Sequence, residues 1–356
     1  MQLLARLLRA LAALLRHLPL KRRVAFLSRQ SSKPSLDYQL LIKELRRTLS
    51  EDEIVVCLTE PETKSKLRFA LGTLKQLYYA CTSKVIIVDG YVPAVSIPAK
   101  DERITVIQMW HALGAIKKFG YQCLDTPAGR SSESARIARM HKNYDLVIAG
   151  GPGAVLPFSA GFGCPTEIVR PLGLPRIDYL RDDSPGSPRH AAMEAAAKRN
   201  PFLAEGRPIA LYAPTLRKGE AYDSGWLSKY VRKLAARYDG TDTLLVVAPH
   251  PLNRELDPAV LAEHPCVRMA QGASTIDLLG FADTVITDYS AIAFEAGLLG
   301  KKLEFFVPDI LRYRISPGLN VQVDEIDEDF FADYFRGVED GVTHCIAALV
   351  KGKLNA

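Results

Sequence analysis

The chain has 356 residues, 48% of them hydrophobic and 24% charged, a composition typical of a globular protein long enough for two domains. Its six cysteines are scattered without a CxxC pair, which excludes a disulfide framework or a cysteine zinc site and suits a reducing cytosol. Residues 1–48 carry eleven Lys and Arg against two acids, so the net charge of +6 arises at the N-terminus and predicts no nucleic-acid-binding face.

The first predicted element is an amphipathic helix over residues 2–18, which Pro19 ends. At 100° per residue its arginines fall in one stripe and its leucines fill the remaining arc. Such a helix lies in a membrane interface, with arginines at anionic head groups. The membrane-binding candidates are Arg6, Arg9, Arg16, Leu7, Leu11 and Leu14. The alternatives are docking on the protein's own core or on a partner subunit; internal arginines disfavour a signal peptide or a transmembrane span.

Short runs rich in Val and Ile predict strands along the first half, at residues 23–28, 54–58, 84–88, 105–109 and 146–150. Helical spacing lies between them, at residues 36–48 and 66–81. The second half repeats the pattern, with strands at 209–212, 244–248, 267–269, 284–287 and 303–306, and helices at 225–237, 291–299 and 327–350. This alternation predicts parallel sheets with helices on both faces.

The predicted organisation is α/β with two Rossmann-like domains. The boundaries are 1–20 for the N-terminal helix, 21–180 for the first domain, 181–208 for a linker region, 209–326 for the second domain and 327–356 for a helical tail. Ligands of such sheets bind outside the carboxyl ends of the strands, so the cleft between two domains is the expected site.

His111 is the first candidate for chemistry, because the segment QMWHALGAIKKFG places it where the strand at 105–109 ends. A histidine there has a pKa near neutrality and is able to accept a proton from a hydroxyl group. Lys117 and Lys118 follow and suit anionic phosphates. A buried, hydrogen-bonded histidine and a solvated lysine pair are the alternative interpretation.

Five further segments bring polar residues to strand ends: GLPRID at 173–178, YAPTLR at 212–217, APHP at 248–251, TDYSAIAFE at 287–295 and FVPD at 306–309. The fork of Arg217 suits a diphosphate, and Ser290 stands near a helix start, where backbone N–H groups favour an anion. Asp288 or Ser290 as a helix cap, and Asp178 as a cap or turn residue, are the structural alternatives.

Together these segments resemble the CDP-glycerol glycerophosphotransferase family, which includes the teichoic acid primases and polymerases of bacterial cell walls. The shared elements are tryptophan-histidine, glycine-x-proline-arginine-x-aspartate, tyrosine-alanine-proline-threonine with arginine, histidine-proline, and threonine-aspartate-tyrosine-serine. The resemblance covers roughly residues 23–315 and implies a two-domain, glycosyltransferase-B-like fold. The implied reaction transfers glycerol phosphate or a similar polyol phosphate from CDP-glycerol to an undecaprenyl-diphosphate-linked acceptor and releases CMP.

The resemblance also implies residue roles. His111 is the candidate base, and His250 with Arg217 would hold the donor diphosphate and steady the departing CMP. The full set of implied substrate-binding residues is Asp178, Arg217, Thr215, Thr287, Asp288, Ser290, Glu295, Lys117 and Lys118. No metal site and no tightly bound cofactor are predicted, and a loosely held magnesium ion on the donor is left open. The implied partners are the donor, a lipid-linked glycan acceptor and anionic lipids at the cytoplasmic face of the membrane, with self-association through the N-terminal helix also open.

The chain departs from the family pattern at Ala112, Ala291 and Glu295, and in the stretch after Tyr313. These departures leave open the identity of the acceptor and whether the polyol is glycerol, ribitol or another polyol. Two other functions compete: a sugar-nucleotide transferase or epimerase with the same layout, and a non-catalytic membrane-docked scaffold.

Overall fold

The structure, a computed structural model, describes residues 2–59, 66–217, 225–250, 256–327 and 329–356. The first half contains α1 Gln2–Leu15, β1 Lys21–Ser28, α2 Leu36–Leu45, β2 Ile54–Leu58, α3 Lys66–Thr82, β3 Ser83–Val88, α4 Pro93–Ser96, β4 Thr105–Gln108, α5 Ser132–Ile137, β5 Leu146–Ile148, α6 Val155–Phe162, β6 Val169–Arg170 and α7 Arg176–Arg181. The second half contains α8 Pro188–Arg199, β7 Ile209–Ala213, α9 Trp226–Ala235, β8 Leu244–Val247, α10 Pro258–Glu263, β9 Val267–Met269, α11 Thr275–Leu278, β10 Thr284–Thr287, α12 Ile292–Leu298, β11 Lys302–Phe305, α13 Ile310–Ile315, α14 Phe330–Tyr334 and α15 Val342–Asn355.

The strands of the first half form a six-stranded parallel sheet in the order β2-β1-β3-β4-β5-β6. Its central strand β3 is almost entirely buried, as expected of a parallel strand with helices on both faces. All five predicted strands are confirmed. Strand β6 was not predicted, because two residues are too few to show a hydrophobic pattern.

The strands of the second half form a five-stranded parallel sheet in the order β11-β10-β7-β8-β9. Buried apolar side chains cover both of its faces: Leu211 and Val285 pack in one cluster, Tyr212 and Ile286 in the other. Alternate residues of the same two strands therefore point to opposite cores. The α/β fold with parallel sheets predicted from the sequence is confirmed.

The chain divides into two compact units. Unit 1 comprises Met1–Asp178, Tyr313–Asn320 and Asp333–Ala356; unit 2 comprises Tyr179–Arg312 and Val321–Ala332. The predicted boundary at 180 lies close to this division, but residues 181–208 belong to unit 2. The end of the predicted tail returns to unit 1, because α15 packs against α2, β1 and β3.

Helix α1 packs on unit 1 and does not stand apart as a separate segment. Ala5, Leu8 and Ala12 are buried against the core that β1 and β3 supply, and the small alanines allow a close approach. The neighbouring helix is α3. The opposite side of α1 stays exposed, including Leu3 and Leu14. Within the described residues, no helix is long and apolar enough to cross a bilayer.

Candidate functional site

The carboxyl ends of β1, β3 and β4 bring polar residues to one edge of the unit 1 sheet. Ser28 ends β1, Asp89 follows β3 and His111 lies three residues after β4. Because the three strands are parallel neighbours, these side chains lie at the same edge. This is the place at which a doubly wound sheet binds its ligand.

The imidazole of His111 is oriented by the backbone. Its Nδ1 lies 2.9 Å from the carbonyl oxygen of Asp89. A carbonyl oxygen only accepts hydrogen bonds, so we assign the proton to Nδ1, which leaves Nε2 with a lone pair. Burial of part of the ring, together with the nearby Arg176 guanidinium, lowers the pKa of His111 below its ordinary value, so the ring is neutral at pH 7. The residue still keeps an exposed surface, as a base that meets a substrate requires.

A buried ion pair holds the main chain of His111. The Asp37 carboxylate accepts hydrogen bonds from Arg176 at its backbone N (2.9 Å), Nε (3.0 Å) and Nη2 (2.5 Å). The same Nη2 donates to the carbonyl oxygen of His111 at 3.0 Å. Both side chains are almost fully buried, so removal of one partner would leave an uncompensated charge. Arg176 therefore fixes the position of the catalytic candidate without occupying the exposed side of its ring.

Trp110, directly before His111, has a strained backbone. Its φ is +59°, a conformation that costs a bulky residue about 1–3 kcal/mol. The indole lies over the His111 ring at 4.0 Å between centroids and stacks on Phe119 at 5.0 Å. Its backbone N donates to the side chain of Gln108 at 2.8 Å. Strain that the surroundings maintain in this way is typical of functional sites.

The Asp89 carboxyl group was not predicted from the sequence. It is buried, and burial raises its pKa to about 6, although a hydrogen bond from the Ser28 side chain lowers it in part. The backbone carbonyl oxygen of the same residue contacts the His111 imidazole, so a second titratable group lies at the residue that orients the candidate base. Its sequence signal is position alone, as the first residue after a buried strand.

The lowered pKa of His111 predicts the acid side of the pH profile. A base acts only when it is deprotonated, so kcat/KM should rise with pH, with a midpoint below 6.5, and be level at pH 7. The measurement is kcat/KM for nucleotide release between pH 4.5 and 8. The Asp89→Asn variant is the control. The Asp89 carboxyl group, which this variant removes, has a pKa of about 6 and therefore titrates in the same range. If the acid side disappears in that variant, Asp89 and not His111 is the group that titrates.

Lys117 and Lys118 lie in a segment that pairs with the region after Tyr313. The backbone N of Lys118 donates to the Gly318 carbonyl oxygen at 3.0 Å, and Asn320 donates to the Ile116 carbonyl oxygen at 2.7 Å. The Lys118 side chain is exposed. The stretch in which the chain departs from the family pattern therefore packs along the segment that follows His111.

In unit 2, Arg217 lies at the centre of a buried network of charges. Its Nη1 donates to Asp288 at 2.5 Å and to the Thr215 carbonyl oxygen at 3.0 Å. Its Nε and Nη2 donate to the two carboxylate oxygens of Asp309, at 3.0 and 3.2 Å. The side chain has no exposed surface. In the structure Arg217 therefore ties together the loops that follow β7, β10 and β11, and its role at the donor diphosphate stays a prediction.

The other predicted residues of unit 2 divide into buried and accessible groups. Thr287 and Asp288 are fully buried. The Thr287 hydroxyl donates to the carbonyl oxygen of Ala213, and the Asp288 carboxylate accepts from the backbone N of Thr215. Thr215 and Glu295 are buried as well. Ser290 is half-buried, and its hydroxyl accepts from the backbone N of Ile292 at 3.4 Å, at the start of α12.

His250, after β8, is exposed. Pro251, the second residue of the histidine-proline pair, lies outside the described residues. His250 and Ser290 are therefore the predicted donor-binding residues with surface available to a ligand.

Asp178 caps a helix. Its carboxylate accepts from the backbone N of Gly341 (2.9 Å), Val342 (3.0 Å) and Thr343 (2.7 Å), which are the free N–H groups at the start of α15. The structural alternative, a capping residue, therefore describes its contacts in the structure, and the substrate-binding role stays a prediction. The residue of the GLPRID segment that reaches the His111 site is Arg176, which the sequence argument passed over.

The predicted membrane-binding residues of α1 separate into two groups. Arg9 donates to the carbonyl oxygens of Ile97 and Ile137, and Arg16 pairs with Asp101, so both contact unit 1. Leu11 is half-buried and packs against the core. Arg6, Leu7 and Leu14 are exposed, and Arg9 also remains exposed despite its contacts. Docking on the protein's own core, the alternative weighed from the sequence, therefore describes one side of this helix.

Several known proteins are similar to this chain in sequence. The model of the family described as CDP-glycerol:poly(glycerophosphate) glycerophosphotransferase matches residues 10–340. The teichoic acid ribitol-phosphate primase of Bacillus spizizenii is 31% identical, over 69% of this chain and 62% of that protein. The teichoic acid glycerol-phosphate primase of Bacillus subtilis is 26% identical, over 69% of this chain and 61% of that protein. The matched region thus spans about three fifths of each primase.

Solved structures show the same fold. The wall teichoic acid polymerase TagF superposes with a TM-score of 0.72 at 17% identity, over 98% of this chain and 93% of that one. The UDP-GlcNAc 2-epimerase from Neisseria meningitidis superposes with a TM-score of 0.59 at 16% identity, over 94% and 100%. The two superpositions show a shared fold and do not indicate a shared reaction.

Proposed function

Because the chain belongs to the CDP-glycerol:poly(glycerophosphate) glycerophosphotransferase family, with teichoic acid primases and polymerases among its relatives, we propose that it transfers a polyol phosphate. The donor is CDP-glycerol or a similar CDP-polyol, the acceptor is a lipid-linked glycan, and the product that leaves is CMP. Ribitol-phosphate and glycerol-phosphate primases are both among the relatives, so the polyol is the part of the proposal that most needs an experiment.

The observation that carries the proposal is the orientation of His111. Its Nδ1 is engaged by the Asp89 carbonyl oxygen, and its main chain is held by Arg176, so Nε2 is the atom left to take a proton. The lowered pKa keeps that nitrogen unprotonated at neutral pH. A neutral, oriented imidazole at the carboxyl edge of a sheet supports the role of general base toward an acceptor hydroxyl group.

In the proposed step, the acceptor oxygen attacks the phosphorus atom that carries the polyol. The bond from that phosphorus to the bridging oxygen of the diphosphate breaks, and CMP leaves with the bridging oxygen and its electron pair. The hydroxyl proton passes to Nε2 of His111. The protein contributes mainly placement and charge stabilisation in such a transfer. His250 and Ser290, the accessible predicted residues of unit 2, are the proposed contacts to the donor, and Lys118 is a proposed contact to a phosphate.

The test is an assay of the released nucleotide. Purified protein is mixed with CDP-glycerol, CDP-ribitol, UDP-GlcNAc or GDP-mannose and a lipid-linked disaccharide, with and without a glycerol-phosphate primer. Release of CMP from one CDP-polyol, dependent on the acceptor, is expected and would identify the polyol. Release of UDP or GDP would assign the protein to the sugar-nucleotide transferases, and release of no nucleotide would favour a non-catalytic scaffold.

We also propose that unit 1 attaches peripherally to an anionic membrane surface. Two neighbouring helices, α1 and α3, each expose a row of leucines. The exposed leucines are Leu3, Leu4, Leu7 and Leu14 on α1, and Leu67, Leu71 and Leu74 on α3. Exposed basic residues accompany both rows, including Arg6, Arg68 and Lys75. An apolar surface edged with positive charge matches the interface of an anionic bilayer, where the lipid-linked acceptor lies.

The attachment predicts a loss of vesicle binding when the exposed leucines become acidic. Each leucine that enters the bilayer contributes about 1.5–3 kcal/mol, so Leu7→Glu, Leu14→Glu and Leu71→Glu should each weaken binding about tenfold or more. Co-sedimentation with vesicles containing phosphatidylglycerol measures it. Leu156→Glu is the matched control, since this leucine of α6 is 72% exposed. Equal losses in all four variants would show that the α1 and α3 rows are not the membrane surface.

A further inference from the structure

A pocket of about 250 Å³ opens between the first half of α1 and the end of α5. It is lined by Gln2, Ala5, Arg6, Arg9, Arg136 and Ile137. Three of these six side chains are guanidinium groups, and no carboxylate lines the pocket. The fold therefore gathers positive charge from two separate elements around one concave space.

None of the three arginines has a carboxylate partner among the residues that the structure describes. Arg9 is held in place by the carbonyl oxygens of Ile97 (3.3 Å) and Ile137 (3.4 Å), which orient its guanidinium group without neutralising it. The side chains of Arg6 and Arg136 form no ion pair or hydrogen bond with any residue that the structure describes. By contrast, Arg16, the residue directly after α1, pairs with a carboxylate. Like charges gathered in a pocket repel one another unless an anion binds between them.

The chemistry of the pocket selects a particular anion. Planar guanidinium forks bind phosphate oxygens in pairs, and three forks from two elements suit one phosphate or a diphosphate. Arg6 directly precedes Leu7, a member of the exposed leucine row. Successive residues of a helix are rotated by about 100°, so the two side chains are neighbours around α1. A ligand in the pocket would therefore lie beside the surface assigned to the membrane interface, at the depth of lipid head groups.

We propose that this three-arginine pocket binds the phosphate group of a membrane lipid. The inference rests on the proposed membrane attachment and is independent of the transfer reaction. Two lipids supply the same chemistry: a phospholipid, through its phosphodiester, and a lipid-linked substrate, through its diphosphate. Binding there would fix the rotation of α1 about its own axis on the bilayer surface. This effect would add to the attraction that the exposed leucines and the diffuse positive charge provide.

The test compares vesicles of equal surface charge that differ in the anion. Vesicles of a neutral galactolipid without phosphate, digalactosyldiacylglycerol, carry phosphatidylglycerol, a polyprenyl diphosphate or oleate as the anion, and binding of the full chain is measured by flotation. The pocket variant Arg6→Gln/Arg136→Gln is compared with Lys43→Gln/Arg46→Gln, which removes the same charge from exposed positions on and beside α2. The pocket variant should lose about tenfold or more in affinity for the phosphate-bearing vesicles and much less for oleate vesicles. The phosphate lipid with the larger loss is the source.

Equal losses on all three vesicles, or losses matched by the control variant, would overturn the pocket and leave only general electrostatic attraction. Arg136→Lys keeps the charge but not the fork, so it should lose part of the preference for phosphate. Titration calorimetry with short-chain, soluble phosphatidylglycerol separates the pocket from membrane attachment. If the unchanged protein binds this soluble lipid but not vesicles, the attachment fails and the pocket stands; if it binds neither vesicles nor soluble lipid, both fail. CMP release with a detergent-dispersed acceptor tests the transfer reaction separately.

Discussion

His111→Ala should lower turnover by about a hundredfold to ten-thousandfold, the range that a general base contributes. Binding of the CDP-polyol should be retained, because His111 belongs to unit 1 and the proposed donor contacts belong to unit 2. The measurement pairs CMP release under single-turnover conditions with titration calorimetry of the donor. Loss of turnover without loss of donor affinity is the expected split.

A second substitution separates proton transfer from orientation. His111→Asn retains an N–H group able to reach the Asp89 carbonyl oxygen that the imidazole now contacts at 2.9 Å, but it cannot take up a proton at neutral pH. It should therefore be as inactive as His111→Ala while preserving the local structure. His190→Ala, at an exposed position on α8, is the matched control and should turn over normally. Near-normal turnover in His111→Asn would remove His111 as the base.

The strands were predictable because a buried strand requires a run of apolar residues, and such a run is visible in the sequence. The run at 84–88 is a central parallel strand with both faces covered, and such a strand needs apolar residues at successive positions. The position of His111 followed from the same logic, since ligand-binding residues lie just after such runs. The sequence did not indicate β6 or how α15 returns to unit 1, because both depend on contacts between distant segments.

The partners of the charged residues were the part that the sequence could not predict. Asp37 and Arg176 are 139 residues apart, and nothing local marks them as a pair. An arginine at a strand end suits a phosphate and a pair of carboxylates equally well, and Arg217 has the second kind of partner, from acids 71 and 92 residues further along. Asp178 likewise had two interpretations, between which only the position of α15 decides.

The N-terminal helix shows the same limit of periodicity. The arc of leucines predicted for α1 is wide enough to include both a docked side and an exposed side of the helix. The apolar residues alone do not distinguish the two sides. In the structure Leu8 is buried against the core, whereas Leu7 and Leu14 remain exposed. Only the contacts of α1 with α3 and the sheet distinguish the docked side from the exposed side.

The buried Arg217 network predicts a large effect on stability. Arg217→Met would leave the carboxylates of Asp288 and Asp309 without the guanidinium group that bridges them. Breaking a buried pair by removing one partner costs about 3–5 kcal/mol, which corresponds to a fall in Tm of roughly 10 °C for a unit of this size. Thermal denaturation followed by circular dichroism measures it. The loss should occur without any ligand, which distinguishes a structural arginine from one that binds the donor.

Two companion variants make the stability prediction specific. Adding Asp288→Asn and Asp309→Asn to Arg217→Met removes the uncompensated charges, so the triple variant should be more stable than Arg217→Met alone. Arg232→Met is the control, because its ion pairs with Asp257 and Glu263 are exposed and such pairs contribute little. If Arg217→Met instead has the same Tm as the unchanged protein and loses only donor affinity, the guanidinium group binds the donor diphosphate, as predicted from the sequence, and its ion pairs do not stabilise the fold.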